Sequence, residues 1–267
     1  MAARLQLADG DQVFAKGIPA DHALAGKYQA EARTALPDIA PAPRLRWDAV
    51  IGGWIVLVFD DVAGRHADLP PGSSDVARVV AMVGGLASVL TPCPAPKVPA
   101  AAAELSDMVH GWRELAASPP ADLNGWARRN LDRLARTETA WLTAADGDTL
   151  LHGDINRSNL LVTDDEVYLV DWAQPVRGAP WLDLADLIPH LILAGHTPPA
   201  AEQAVAPAIT ATGVSAQTIT SYAIAFAGYW SRTSRDPAPP DVPNLRKYQA
   251  RAAHAALTWA AHRTRWS

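Results

Sequence analysis

The feature that most constrains the fold is a change of hydrophobic pattern near Gly64. Before this glycine, short apolar segments alternate with polar residues and end at glycine-containing turns, a pattern typical of antiparallel strands. Strands are predicted at 4–7, 12–16, 45–50 and 54–59, with one helix at 20–36. After the glycine, longer segments with helical spacing predict helices at 75–90, 100–115 and 124–144. The order along the chain is therefore strands first and helices afterwards.

A strand-like island interrupts the helical part. Residues 160–162 and 167–170 are apolar and flank a turn of two aspartates, which predicts a β-hairpin. The later segments are helical again and are broken by prolines. We predict an α+β fold with two lobes around a cleft. The small antiparallel-sheet lobe is expected at residues 1–61, and the larger helical lobe with its embedded β-hairpin at 62–267.

Charge and composition exclude several classes of protein. The formal net charge is -5, whereas non-specific nucleic-acid binding requires a concentrated basic surface. The most apolar later segment, 182–194, is interrupted by Asp186 and Pro189 and is too short to span a bilayer. Residues 1–11 lack the features of a secretory signal, and Cys93 is the sole cysteine, so we expect a cytoplasmic protein. The sequence contains neither a His-Glu-x-x-His spacing nor a cysteine cluster, so we expect no zinc site.

The loop before the predicted hairpin carries the clearest chemistry. Asp154 and Asn159 lie five positions apart, where Gly153 and Asn156 disfavour a regular helix. The hairpin then returns Asp171 close to Asn159. Phosphoryl transfer needs a carboxylate that orients the attacking hydroxyl, and Mg²⁺ prefers hard oxygen ligands. The pattern therefore indicates one base and two metal ligands at a single cleft.

These residues also resemble a known family. His152-Gly153-Asp154, four intervening residues, Asn159 and a strand that ends in Asp171 resemble the catalytic loop of the aminoglycoside phosphotransferase and choline kinase-like family. The segment Asp183-Leu184-Ala185 is similar to a further motif of that family. The resemblance implies a two-lobed, protein-kinase-like fold. It also implies ATP-dependent transfer of the γ-phosphoryl group to a hydroxyl of a small molecule.

The resemblance assigns roles within this loop. It implies that Asp154 is the catalytic base and that Asn159 and Asp171 hold Mg²⁺. The side chain of His152 is expected to support the loop by hydrogen bonding, with Asp183 (on the following segment) bracing it from behind. Arg157 is either a contact of the transferred phosphoryl group or a solvated loop arginine.

Residues upstream of the loop resemble the nucleotide-binding residues of the same family. The strand Val13-Phe14-Ala15-Lys16 resembles the one whose lysine reaches the nucleotide phosphates, and Glu31 on the next helix is the expected ion-pair partner. The chain leaving the small lobe is expected to offer its backbone to adenine. These connecting residues are Phe59, Asp60, Asp61 and Val62.

One family feature is missing from the sequence. No glycine-rich strand-turn-strand precedes the Lys16 strand. The residues before that strand leave room for only one other strand. Either an N-terminal segment is absent from this sequence or the protein functions without that cover. The alternative to an active kinase is therefore a catalytically weak or inactive kinase-like binding protein.

The acceptor side of the sequence is less informative. Residues 151–267 contain ten acidic and nine basic side chains, so no acidic pocket for a polycation is evident. Trp172, Trp181, Tyr229 and Trp230 are either core residues or platforms for a ligand. The acceptor is expected to be a hydroxyl-bearing small molecule, either an antibiotic, with a role in resistance, or a metabolite.

Overall fold

The small lobe is built on one antiparallel sheet. The computed structural model describes residues 1–95, 97–239 and 242–267. In the described part, the sheet has the spatial order β1-β2-β4-β3. The elements are β1 (Ala2–Gln6), β2 (Gln12–Pro19), α1 (Ala25–Arg33), β3 (Leu45–Ile51) and β4 (Trp54–Asp60). The predicted order of strand, strand, helix, strand, strand is confirmed.

Helix α1 is shorter than the predicted helix at 20–36. The backbone N–H of Ala20 donates to the carbonyl of Gly53 at 2.8 Å, so the chain after β2 first binds the turn between β3 and β4. The helix then packs on the inner face of the sheet, where Ala25 joins a small core with Ile55 and Leu57. This packing holds α1 against the strand that carries the predicted lysine.

The larger lobe opens with one helix that was predicted correctly and two that were not. After the short strand β5 (Arg65–His66), α2 (Asp75–Leu90) has the predicted bounds. The predicted helix at 100–115 is instead α3 (Ala101–Glu104) and α4 (Gly111–Ala117), joined by a 3-10 segment. The predicted helix at 124–144 is α5 (Gly125–Arg129) and α6 (Leu131–Thr137), followed by another 3-10 turn.

Side-chain hydrogen bonds explain the break between α5 and α6. Asn130 lies between the two helices, and its amide donates to the carbonyls of Trp126 and Ser267 at 3.0 and 3.3 Å. Asparagine side chains that bond nearby backbone compete with a continuous helix. The second partner is at the far end of the chain, so helical spacing alone could not reveal it.

Two short sheets and four longer helices complete the described part of the fold. The predicted hairpin is β7 (Leu160–Val162) with β8 (Val167–Leu169), and β5 extends it. The sequence did not indicate the second sheet, in which β6 (Thr149–Leu151) pairs with β9 (Val176–Gly178). This pair brings together the two ends of the segment that contains the loop and the hairpin. The helices are α7 (Trp181–Leu193), α8 (Pro198–Ala211), α9 (Ala216–Thr233) and α10 (Leu245–Thr264).

The helical lobe is organised around buried aromatic residues. Trp112, Trp141 and Trp259 are fully buried, and Trp141 packs edge-on against Tyr222 with ring centroids 5.2 Å apart. Trp181 contacts the same tyrosine at 5.3 Å. Among the helices in the described part of the chain, none combines the length and apolar character that crossing a bilayer requires.

Candidate active site

The loop between β6 and β7 is held from behind by a buried carboxylate. The backbone N–H groups of His152 and Gly153 donate to the two oxygens of Asp183, at 2.9 and 3.1 Å. Asp183 lies in the first turn of α7. Gly153 has a φ of 74°, and an added Cβ would lie 2.6 Å from the carbonyl oxygen of Gln174, so only glycine fits.

His152 fixes the same loop to the residues that directly follow β8. The imidazole is fully buried, its Nε2 lies 3.0 Å from the Val170 carbonyl oxygen, and its ring meets the edge of Trp172 at 4.9 Å. A side chain so enclosed positions the loop and does not face a substrate.

Asp154 is oriented by two amides. Its carboxylate accepts from Asn156 Nδ2 at 3.0 Å and from Asn159 Nδ2 at 3.2 Å. Asn159 Nδ2 also donates to the Asp154 carbonyl at 2.9 Å. Because its nitrogen points towards Asp154, the amide oxygen of Asn159 points away from it and is available as a ligand.

The structure brings Asp171 beside Asn159. The Val170 N–H donates to the Asn159 carbonyl at 2.9 Å, so the returning strand places the aspartate at the end of the loop. Asp171 has a φ of 66°, a left-handed conformation that non-glycine residues adopt infrequently. Asn159 and Asp171 are thus two neighbouring oxygen donors. In the described part of the chain, no group of three His, Cys, Asp or Glu side chains could hold a metal, so these two donors would need phosphates and waters to complete a Mg²⁺ shell.

Lys16 links the two lobes. Its ammonium lies 2.5 Å from Glu31 Oε2 and 2.6 Å from Asp171 Oδ1. Burial lowers the pKa of Lys16, but the attraction of the two carboxylates outweighs burial and leaves the pKa above its usual value. The ion pair between Lys16 and Glu31 that the sequence indicated is therefore present, and the lysine is charged.

Two cavities meet at the loop. The first, here called the lysine cavity, has a volume of about 970 Å³ and is lined by Lys16, Asn159 and Asp171 among others. The second, the aspartate cavity, has a volume of about 1220 Å³ and contains Asp154. His66 and Ser158 line both cavities. A group transferred between ligands in the two cavities would cross beside the loop.

The residues expected to contact adenine also line the lysine cavity. Asp61 accepts from Arg4 Nε at 2.7 Å, and the same guanidinium donates to the Val62 carbonyl at 3.1 Å. Asp60 is paired with Arg46. Both aspartates are therefore engaged by arginines within the small lobe. Phe59, at the end of β4, completes this part of the lining.

Arg157 is tied to the protein backbone. Its Nε donates to the carbonyl of Ala67 at 2.9 Å, and the residue is exposed at the aspartate cavity. The structure thus places Arg157 at the edge of the aspartate cavity, with its Nε already bonded to the backbone.

The structure also shows wall residues that sequence reasoning missed. Asp186 and His190 on α7, Tyr222 on α9 and Tyr248 on α10 line the aspartate cavity. The signal for one of them was present, because Asp186 interrupts an otherwise apolar segment. Of the four aromatic residues considered from sequence, Tyr229 and Trp230 line this cavity and Trp172 lines the lysine cavity. Trp181 is a core residue.

Residues 11–216 match the family described as the phosphotransferase enzyme family. The chain belongs to this family. It is therefore a phosphotransferase, and the predicted enzyme class, a small-molecule kinase, is confirmed. No curated protein sequence matches the chain significantly.

Solved structures support the same fold. An aminoglycoside phosphotransferase from Alicyclobacillus acidocaldarius is 14% identical, with a TM-score of 0.65 over 99% of this chain and 89% of that one. A choline kinase from Streptococcus pneumoniae is 14% identical, with a TM-score of 0.61 over 96% of this chain and 89% of that one. A spectinomycin phosphotransferase, solved with ADP and spectinomycin, is 11% identical, with a TM-score of 0.61 over 98% and 93%. The predicted two-lobed, protein-kinase-like fold is confirmed.

Proposed function

We propose that this phosphotransferase moves the γ-phosphoryl group of ATP to a hydroxyl of a small molecule. Nucleotide would occupy the lysine cavity and the acceptor the aspartate cavity. The observation that carries the proposal is the meeting of these cavities at one loop, with Lys16 and Asp171 in the first and Asp154 in the second. The spectinomycin phosphotransferase and its ADP complex support the same use of the fold.

On the acceptor side, Asp154 is the group that receives the hydroxyl proton. The two amides that donate to its carboxylate fix its direction, and Asp183 fixes the loop backbone from behind. A positioned carboxylate orients the attacking oxygen and accepts its proton as the bond to phosphorus forms. His152 contributes only by holding the loop.

On the nucleotide side, the charged Lys16 binds phosphate oxygens and Glu31 keeps the lysine in place. The residues at 59–62, where the chain leaves the small lobe (residues 1–61), would contact adenine. The oxygens of Asn159 and Asp171 fit a Mg²⁺ ion that arrives with the nucleotide. When bound, this ion would neutralise charge on the transferring phosphoryl group. Arg157 lies on the same loop and would add a second positive charge there.

The proposal is tested by a nucleotide-dependent phosphorylation screen across aminoglycosides, other antibiotics, amino alcohols and sugars. For any acceptor found, Asp154→Asn should lower kcat by about 10²–10⁴-fold, the usual contribution of a general base. The exposed Asp164→Asn, in the turn of the hairpin, is the matched control and should retain full activity.

Two results would contradict the proposal. Turnover of Asp154→Asn equal to that of the wild type would remove this residue from the reaction. Absence of both nucleotide binding and phosphorylation in the wild type would favour the alternative of an inactive binding protein.

A further inference from the structure

The outer face of the small-lobe sheet is apolar across all four strands. Helix α1 packs on the inner face, where Ile18, Ile55 and Leu57 belong to the small core. The residues that alternate with these point to the other side of the sheet. The cross-strand register places them in three rows, which are Ala3, Ala15, Val58 and Trp47; Gly17, Val56 and Ala49; and Pro19, Trp54 and Ile51. None of these residues is charged.

The surroundings of Gly17 agree with this register. A Cβ added to this glycine would lie 3.6 Å from Val56 Cγ2 and 3.7 Å from Trp54 Cε3. Both atoms belong to side chains of the neighbouring strand β4. These side chains therefore stand beside the bare backbone of Gly17, on the side of the sheet that α1 does not cover.

The large side chains of the outer face are exposed. Trp47 is 50% exposed, Ile51 62% and Trp54 37%. Single exposed apolar residues are ordinary, whereas a continuous apolar patch marks a contact surface. The centres of protein interfaces are enriched in tryptophan and depleted in charge, and the outer face has both properties.

Charged groups border the outer face at one end. Asp60 follows Val58 in the alternation along β4 and pairs with Arg46, whose Nη1 also lies 2.9 Å from Asp11 Oδ2. These side chains offset one another and form a polar rim. A charged partner would bury its own charges on the apolar rows without counter-charges, which is costly. A second copy of this chain presents the same uncharged rows instead.

The outer face is also self-complementary in shape. The half formed by β3 and β4 carries large side chains, Trp47 and Trp54 among them, whereas the half formed by β1 and β2 carries Ala3, Ala15 and Gly17. A twofold axis parallel to the strands, between two stacked faces, would place β3 of each copy over β1 of the other. The large half of each copy would then cover the small half of the other, with identical contacts on both sides.

The size of the outer face suits a dimer of moderate affinity. Four strands about 4.8 Å apart, with outward residues along about 20 Å of strand, form a face of about 400 Å² in projection. Side-chain relief and the rim increase the accessible area, so two copies would bury about 1,000 Å² in total, the lower limit for a specific interface. Sheets that pack in this way lie about 10 Å apart, with their strands within about 30° of each other.

We propose that two copies of this chain associate through the outer faces of their small-lobe sheets. Trp47 of each copy lies over Ala3 and Ala15 of the other. The lysine cavity is on the inner side of the sheet and stays open in this dimer. Strand β2 serves both sides, because Lys16 points to the cavity while Ala15 and Gly17 face the second copy. The inference does not depend on the proposed function.

Sedimentation velocity across the micromolar range of protein concentration tests the proposal. We expect a reversible dimer of the wild type with a micromolar Kd. Ile51→Glu buries a charge twice, once from each copy, and should raise Kd by at least about 100-fold. Val50→Glu is the matched control, because Val50 is the adjacent residue of β3 and is 69% exposed, but lies beside Ile55 on the inner side of the sheet. Its Kd should stay within about threefold of the wild-type value.

Three outcomes would overturn the inference. A wild type that stays monomeric at the highest concentration would show that no second copy covers the outer face. Equal weakening by Val50→Glu and Ile51→Glu would indicate pairing along the edge of β3. A dimer that survives Ile51→Glu would use another surface. Should Ile51→Glu not fold, Trp47→Ala decides by the same measurement, since loss of the dimer in this uncharged variant supports the outer face and its persistence contradicts it.

Discussion

Asp186, which lines the aspartate cavity, should make the stability of the protein depend on pH. Burial raises the pKa of this carboxyl to about 8, and the charges of Asp183 and Asp154 add to the rise, against the hydrogen bond from Tyr222. Below pH 8 the carboxyl is therefore largely protonated in the folded protein.

The same pKa predicts the effect of Asp186→Asn on stability. An aspartate in an unfolded chain has a pKa of about 3.9, so between about pH 4 and pH 8 the folded protein holds this proton more tightly than the unfolded chain does. The proton stabilises the fold below that range, and this contribution is lost as the pH rises through 8. Because asparagine cannot ionise, the Tm of Asp186→Asn at pH 8 should equal or exceed that of the wild type. A large fall in Tm would show that the carboxylate itself holds the fold.

Residues close in sequence could be predicted, and residues joined only by packing could not. The distances among Asp154, Asn159 and Asp171 depend on one loop and one hairpin, so their spacing was informative. The hydrogen bond that the Tyr222 O–H donates to Asp186 Oδ1 at 2.7 Å depends on how α7 packs against α9, and no local pattern encodes that packing. The apolar run around Asp186 showed only that a charge interrupts it.

At the level of elements, the crossing of α4 and α9 should be the part of the helical lobe least tolerant of added volume. An added Cβ at Gly228 would lie 2.6 Å from Trp112 Cδ1, and one at Gly111 would lie 2.3 Å from the Gly228 carbonyl carbon. Trp112 is fully buried, and its Nε1 donates to the Ile224 carbonyl at 2.6 Å, so the ring cannot move away freely. We expect Gly228→Ala to lower the free energy of unfolding by about 3 kcal/mol.

Urea denaturation checks this value against a matched control. Gly85 lies on the exposed side of α2, where an added Cβ would meet nothing within 4 Å. Gly85→Ala should raise the free energy of unfolding by about 0.5–1 kcal/mol through helix propensity. Equal effects of the two substitutions would mean that the α4–α9 contact is not tightly packed.

The same crossing shows why some elements were predicted and others were not. Alternation and glycine turns are local signals, and they identified the strands of the small lobe correctly. The uninterrupted helix predicted at 100–115 was wrong, because a 3-10 segment follows Glu104 and α4 begins only at Gly111, where the chain lies close to α9. Helical composition continues across this stretch, so no local pattern marks the interruption.

At the scale of the whole molecule, the proposed reaction centre is the junction of two cavities that belong to different parts of the chain. Lys16 comes from the small lobe, and Asp171 comes from the end of the embedded hairpin, yet they lie 2.6 Å apart. Their ion pair joins the lobes across the cleft. Phosphates entering the lysine cavity would share the lysine with this carboxylate, so nucleotide binding would be coupled to the contact between the lobes.

This coupling predicts how the whole protein responds to nucleotide and metal. A ligand that binds only the folded state stabilises it by about 2.7 kcal/mol at a hundred times its Kd, so Mg-ATP should raise Tm in a concentration-dependent manner. Removing Mg²⁺ with EDTA should reduce the shift, because the phosphates would then face the carboxylate of Asp171 with Lys16 alone to offset the repulsion. Asp171→Ala removes that repulsion as well as the metal ligand, so its shift with ATP should be nearly independent of Mg²⁺. Asp154→Asn, in the other cavity, should keep the full dependence on Mg²⁺. If Asp171→Ala responds to Mg²⁺ as the wild type does, the metal is held elsewhere.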